Sequence, residues 1–291
     1  KYNRDEQYVA VQNEIWYHRP MNKRSEIRNE RIDQGQPFDW GRTSTEYARY
    51  RDIYPESFYE KLHLLGIGVS GQRLLDLGTG TGVVPIHLHK YGTQIVGVDI
   101  SEQQIAMAAE ISMNLTPAIK WIVADAADTG LAGNSFDAVA AVQCWPYFDR
   151  ERTLREICRL LVPMGQMMIA FMEWLPDEDT LTRKSLDLVS RYNPHWDAHS
   201  TSRHEFRKHD FLGTAFRLNT FHTYDADLEF TRESWTGRMR ACRGMAASLP
   251  ASSVQEFSRE HMTMLENEVP ESFSVKHQIV IYVFTLLVDD Q

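Results

Sequence analysis

Three acids and a run of glycines are the residues of this chain whose types and spacing can do chemistry. Asp76 stands two residues before Gly78-Thr79-Gly80-Thr81-Gly82, Asp99 ends the next apolar run, and Asp125 ends the one after that. The glycines let a ligand approach the backbone and tolerate a positive φ in a tight turn. An acid at the tip of the second strand can accept both ribose hydroxyls of a nucleoside. At the third strand end, Asp125 can accept from an adenine amino group, while Ala126 offers a small surface and a backbone N–H. A carboxylate just before the turn repels a pyrophosphate but suits the ammonium of an amino-acid moiety, directly or through water.

Nicotinamide and flavin enzymes use a similar turn, so the spacing must decide. A dinucleotide fingerprint is G-x-G-x-x-G. Counted from Gly78 the third position falls on Val83, and counted from Gly80 it falls on Pro85, which argues against an NAD-dependent oxidoreductase.

The elements that must position these residues follow from the apolar pattern. Arg73 to Leu77 reads as a buried strand, a helix runs from the glycines to about Tyr91, and Gln94 to Val98 is a second strand. Ser101 caps a helix to about Met113, Trp121 to Ala124 is a third strand, and Ser135 to Val142 a fourth. A helix from Glu151 to Leu161, a Pro163-Met164-Gly165 turn and a strand from Met167 to Phe171 come next. Thr180 to Tyr192 and Ser252 to Glu266 are helical, Leu218 to Phe230 alternates like a strand, and Val275 to Leu287 has the pattern of an antiparallel seventh strand. Further upstream, Thr43 or Ser44 caps a short helix and Pro55 starts another.

The segment from Asp76 through Asp99 resembles motif I of the class I S-adenosylmethionine (SAM) methyltransferases. The loop Gln143-Cys144-Trp145-Pro146-Tyr147-Phe148-Asp149 is similar to a Gln-Cys-Trp-His-Trp-Phe-Asp segment of that family, with Pro146 and Tyr147 replacing its His and second Trp. Residues Tyr50 to Pro55 are similar to the stretch before the domain in UbiE-like and trans-aconitate-type small-molecule methyltransferases. The resemblance covers about Phe38 to Val288 and implies an α/β fold: a Rossmann-like, doubly wound sheet of seven strands, the last antiparallel, with an N-terminal helical lid and an insertion after strand five. The implied organisation is an N-terminal helical arm over 1–37 and a methyltransferase domain over 38–291, with cap segments at about 173–209 and 231–249. The implied cofactor is SAM, leaving as S-adenosylhomocysteine. Its implied contacts are Asp76, Gly78, Thr79, Gly80, Gly82, Asp99, Ile100, Gln104, Asp125, Ala126, Gln143, Cys144 and Trp145.

Methyl transfer from a sulfonium is an in-line displacement, so alignment and exclusion of water dominate, and a base is needed only for a hydroxyl acceptor. The candidate bases are His222, Tyr147, Glu173 and His199. Tyr50, Tyr54, Trp145, Tyr147 and Arg240 are the expected substrate contacts, with Tyr50 and Tyr54 either covering the site or packing on the sheet edge. Arg238, Arg240 and Arg243 either hold an anionic acceptor by bidentate pairing or pair with acids of this chain. The acceptor is thus expected to be a small anionic or aromatic metabolite. An RNA or protein methyltransferase, and a non-catalytic SAM-binding protein, are the alternatives.

A net charge of −9 disfavours a polyanionic partner such as nucleic acid. No apolar run approaches the roughly 20 residues that span a bilayer, and the polar start Lys1-Tyr2-Asn3-Arg4 is unlike a signal peptide, so a cytoplasmic location and no membrane partner are expected. Cys144, Cys158 and Cys242 match no zinc or disulfide spacing, and no metal is expected. A monomer or homodimer is expected.

Overall fold

The computed structural model describes residues 8–10, 15–18, 26–50, 54–198, 203–206 and 215–287. The chain opens with strands β1 (Tyr8–Ala10), β2 (Ile15–His18), β3 (Glu26–Ile27) and β4 (Phe38–Asp39), then helices α1 (Ser44–Tyr50) and α2 (Glu56–Leu64). A βαβ series follows: β5 (Arg73–Leu77), α3 (Val83–His89), β6 (Gln94–Asp99), α4 (Glu102–Ile111), β7 (Lys120–Val123), β8 (Phe136–Val142), α5 (Arg150–Leu160) and β9 (Leu161–Trp174). The chain closes with α6 (Thr180–Tyr192), β10 (Phe216–Thr231), α7 (Arg232–Arg240), α8 (Ala251–Glu268) and β11 (Ser272–Leu286).

The main sheet runs β1-β2-β7-β6-β5-β8-β9-β11-β10. Its seven core strands are parallel except β11, which pairs antiparallel with both β9 and β10. From β5 the chain steps outward through β6 and β7, then returns to the other side of β5 with β8 and β9. The order therefore reverses between β5 and β8. In open α/β sheets the ligand crevice lies at the carboxyl ends of strands where this reversal occurs.

Alternation along the strands divides the core between the two faces. Leu74, Ala138, Ala140, Met168, Ala170 and Ile281 pack with Phe58, Leu88, Ile105 and Trp235 from the helices of one face. Leu75, Leu77, Val139, Ala141, Ile169 and Tyr282 pack on the other with Ile157 and Leu160 of α5. The expected turn at Pro163-Met164-Gly165 lies inside β9, where Met164 takes a φ of 62° and the register against β8 jumps from Phe136↔Leu161 to Ala138↔Gln166.

Three upstream expectations need correction. The described parts of the N-terminal arm hold short strands and a 3-10 turn over Asp33–Gly35 rather than an α-helix: β1 pairs with β2, and β2 adds parallel to β7. The Ile15-Trp16-Tyr17 run has the β-branched and aromatic composition that favours a strand. Neither Thr43 nor Ser44 caps α1, because a 3-10 turn over Trp40–Thr43 leads into it; Asp39 caps that turn by accepting from the Gly41 N–H. Pro55 is the cap residue of α2 rather than its first helical residue. Residues 51–53, part of the Tyr50 to Pro55 stretch, lie outside the described residues, as do His199 and His209.

Candidate functional site

The glycine turn sits at the carboxyl end of β5, on the crevice side. Gly78 and Gly80 hold φ values of 65° and 58°. A Cβ at Gly78 would lie 2.8 Å from the Cβ of Cys144 and 3.1 Å from the ring of Phe148, so the two strand ends meet only through a glycine. Asp99 ties β6 to the turn: one carboxylate oxygen accepts from the Gly80 N–H at 2.9 Å, the other from the Ser101 N–H at 2.8 Å. A carboxylate has about four acceptor positions, so acceptor capacity remains for a ligand.

Asp76 lies beneath the turn, 2 % exposed. Thr79 donates its hydroxyl to Oδ2 at 2.7 Å, while Oδ1 is buried without a hydrogen-bond partner. Burial, partly offset by that hydroxyl, pushes the carboxyl up to about 7. A buried carboxylate oxygen without a partner is costly to leave unpaired and suits a cationic or donor group.

A cavity of about 950 Å³ opens from this turn. Gly78, Gly80, Asp99, Ile100, Gln104, Asp125, Ala126, Gln143 and Cys144 line one part of it, and Tyr147 and Phe148 continue the wall. Trp40 and Tyr47 face them from the N-terminal side, with Ile27 to Arg31 and Asp149 to Glu151 at the rim. The rings form a continuous surface: Trp40 meets Tyr147 edge-on at 5.6 Å and Tyr47 at 6.1 Å, with Phe38 behind at 5.9 Å. Gln104 fixes this wall to α4 by donating to the Trp40 carbonyl at 2.9 Å, and the Tyr47 ring lies 3.5 Å from where a Gly80 Cβ would stand. Gln143 takes a φ of 60° at the end of β8 and donates its side-chain amide to the Met172 carbonyl at 2.6 Å. A non-glycine residue held there at a cavity is the kind of strain found at ligand sites.

Four of the expected cofactor contacts do not reach the cavity wall. Asp76 and Thr79 lie below the turn. Gly82 serves the core: a Cβ on it would meet the Trp121 ring at 2.4 Å, as would one on Gly97. Trp145, 2 % exposed, is buried with Ile157 and Phe171 and meets Phe148 edge-on at 5.9 Å. The apolar indole went into the core that its turn overlies, leaving Tyr147 and Phe148 to face the crevice.

The substrate expectations are redistributed more strongly. Tyr50 packs on Gly237 of α7, gives its hydroxyl to Glu233 at 3.0 Å and lies under the Arg240 guanidinium. Tyr54 stacks on Phe58 at 5.0 Å. Arg240 pairs with Glu46 at 2.7 Å, and Arg238 is buried over the Trp174 ring. The basic segment thus docks α7 on α1 and on the core; it does not line the cavity. Of the bases, His222 is on β10, away from the cavity, where burial and nearby Lys61 lower its pKa. Glu173 is half-buried on β9 opposite Gln278, and burial pushes its carboxyl up to about 7, yet it does not line the cavity. Tyr147 does. Trp40, Tyr47 and Phe148 were overlooked as wall residues, although the density of aromatics after Phe38 was a visible signal.

Comparison with known proteins bears on this geometry. Residues 75–169 match the family model described as a methyltransferase domain. An uncharacterized methyltransferase, Rv3342, of Mycobacterium tuberculosis is 31% identical over 122 residues, which is 42% of this chain and 46% of that protein. Methyltransferase GfsG of Streptomyces halstedii is 30% identical over 139 residues, 46% of each chain. The matched region thus spans about half the length of these curated relatives. A candidate type II methyltransferase from Anaeromyxobacter dehalogenans superposes with a TM-score of 0.56 at 21% identity, covering 81% of this chain and 97% of that one, and so shares the fold.

Proposed function

We propose, from the premise that this chain carries a class I SAM-dependent methyltransferase domain, that it methylates a small aromatic acceptor. The observation that carries the reading is one cavity joining the glycine turn, Asp99 and Asp125 to an aromatic wall of Trp40, Tyr47 and Tyr147. When bound, SAM supplies an electrophilic methyl group on sulfur. The residues fit such a ligand. Asp99 has acceptor capacity left for ribose hydroxyls and Asp125 and Ala126 stand at the next strand end for the adenine, while the orphaned Asp76 oxygen, beneath the turn and off the cavity wall, suits the ammonium group only through water. A cavity of this size is at the upper end of the roughly 300–1,000 Å³ typical of ligand pockets, which suits two ligands side by side.

The protein's work in such a transfer is alignment and exclusion of water. Trp40, Tyr47 and Tyr147 hold a flat acceptor by ring contacts and keep water from the reacting atoms. Tyr147 is the candidate base on the cavity wall, and its hydroxyl, which accepts from Arg243 Nη1 at 3.4 Å, keeps its own proton to donate to an acceptor heteroatom. An aromatic acceptor is favoured over an anionic one because the inner wall is made of rings, while the arginines of the cavity, Arg28, Arg31 and Arg150, stand at its rim among Glu30, Asp149 and Glu151; Arg238 and Arg240 are committed outside it and Arg243 is neutralised by carboxylates.

Calorimetric titration with S-adenosylhomocysteine, with NAD as control, tests the cofactor; a panel of phenols, aromatic amines and carboxylates, read by a one-methyl mass gain, tests the acceptor. Binding of S-adenosylhomocysteine with methylation of aromatic acceptors is expected. Failure to bind it, or turnover of aliphatic carboxylates alone, would overturn the corresponding half.

A further inference from the structure

Asp33, Asp197 and Arg243 come from three distant parts of the chain and meet at one point, buried at Asp33 and Arg243 and open to solvent at Asp197, whose side chain is 47 % exposed. Arg243 Nε lies 2.7 Å from Asp33 Oδ2, and its Nη2 donates to Asp33 Oδ1 at 3.0 Å and to Asp197 Oδ1 at 2.5 Å. The carboxylates also accept each other's backbone N–H groups: that of Asp33 donates to Asp197 Oδ2 at 2.9 Å, and that of Asp197 to Asp33 Oδ1 at 3.1 Å. Asp33 is 2 % exposed and Arg243 8 %. The guanidinium lies over the rings of Phe38 at 5.8 Å and Tyr147 at 5.5 Å, with Nη1 3.4 Å from the Tyr147 hydroxyl.

A buried ion pair of this kind adds little net stability, because desolvation offsets attraction. What it does fix is geometry. A planar guanidinium held by two carboxylates has one orientation, and the ring lying against it then has one seat. Asp33 and Gln34 hold left-handed φ values of 49° and 54°, a backbone that persists only where its surroundings over-determine it.

We propose that Arg243 is a positioning residue for the acceptor side of the cavity: clasped by Asp33 and Asp197, it seats the Tyr147 ring and locks the wall from Ile27 to Trp40 against it. The inference rests on the methyltransferase reading only for what the chamber holds. With two carboxylates to one guanidinium, the clasp is formally anionic, so Arg243 orients the wall and does not serve as an anion receptor.

The test uses Arg243→Met, Arg243→Lys and Asp197→Asn in the full chain, read by amide hydrogen exchange without ligand and by stopped-flow dissociation of S-adenosylhomocysteine. In Arg243→Met the amides of residues 27–40 and 145–148 should exchange about tenfold faster, while those of β5 and β8 keep wild-type rates. S-adenosylhomocysteine should leave about fivefold faster. Arg243→Lys, which keeps the charge but not the fork, should fall between wild type and Met. If Arg243→Met does not fold, Lys and Asn decide, with smaller changes in the same two segments. Wild-type exchange in both segments, or faster exchange spread evenly into β5 and β8, would overturn the clasp. Failure of the wild type to bind S-adenosylhomocysteine would instead sink the methyltransferase reading, and the exchange data would still judge the clasp.

Discussion

The carboxylate of Asp99 holds the N–H of Gly80 at 2.9 Å, so the end of β6 and the turn after β5 form one rigid unit before any ligand arrives. The Asp99 carboxylate is also half-buried, and burial raises its pKa while the backbone donors oppose the rise. Asp99→Ala removes both the proposed ribose acceptor and the tie to the turn. S-adenosylhomocysteine affinity should fall by about 1–3 kcal/mol through lost hydrogen bonds, measured by calorimetry. Unchanged affinity would remove Asp99 from the ribose site.

Asp76 opposes folding at high pH. Its folded-state pKa is raised from 3.8 to about 7, so the neutral acid is favoured in the folded protein. The stability contributed is present below pH 4 and lost as pH rises through 7. Asp76→Asn should therefore stabilise the ligand-free protein at pH 8 by roughly 1–3 kcal/mol and have little effect at pH 4. The same change should weaken S-adenosylhomocysteine binding. Denaturant midpoints across pH, beside a titration, check both; equal stability changes at the two pH values would contradict the burial of charge.

Gly82 and Gly80 should respond differently to alanine. Gly82→Ala puts a Cβ 2.4 Å from the Trp121 ring at a φ of 78°, costing about 2–4 kcal/mol by overpacking and backbone strain. At Gly80 the space beside the Tyr47 ring is ordinary contact, and only the φ of 58° resists. Gly80→Ala should cost about 1 kcal/mol of stability and more in ligand affinity. Thermal melts with and without S-adenosylhomocysteine separate the two.

Arg240→Ala should leave the acceptor KM within about twofold and cost roughly 0.5–2 kcal/mol of stability through its partly buried pair with Glu46. Tyr147→Phe should do the reverse, raising the acceptor KM with little change in melting temperature. A large KM effect from Arg240→Ala would put α7 back into the site.

The part of the site built from backbone was legible in the sequence, because glycine spacing and strand-end acids follow directly from local chain geometry. Gly78, Gly80, Asp99 and Asp125 line one cavity for that reason, with Asp76 beneath the turn. The core strands were legible too, those from β5 to β8 as short apolar runs between turns, while the seven-stranded sheet they build was what the resemblance implied. The acceptor side was not, since it depends on which aromatic of a crowded stretch turns inward. Tyr50 and Trp40 look alike as text; Gly237 draws one ring onto α7, while Gln104 holds the backbone of the other at the crevice. The clusters of Arg238, Arg240 and Arg243 are equally ambiguous, because their acids lie elsewhere in the chain: Glu46, Asp33 and Asp197. The arm's strands escaped notice because β2 joins the main sheet through β7, a hundred residues away, with the three-residue β1 as its other neighbour.

Trp121 has a consequence beyond packing. Its indole, 1 % exposed and donating to the Ser112 hydroxyl at 2.9 Å, is wedged beneath both Gly82 and Gly97. The turn that faces the ligand is thereby braced from behind by a fluorophore. In a variant keeping this tryptophan alone, emission becomes an optical gauge of whether the two strands and their turn have come together during folding. It reads the assembly of the cradle from inside, where no solute quencher reaches.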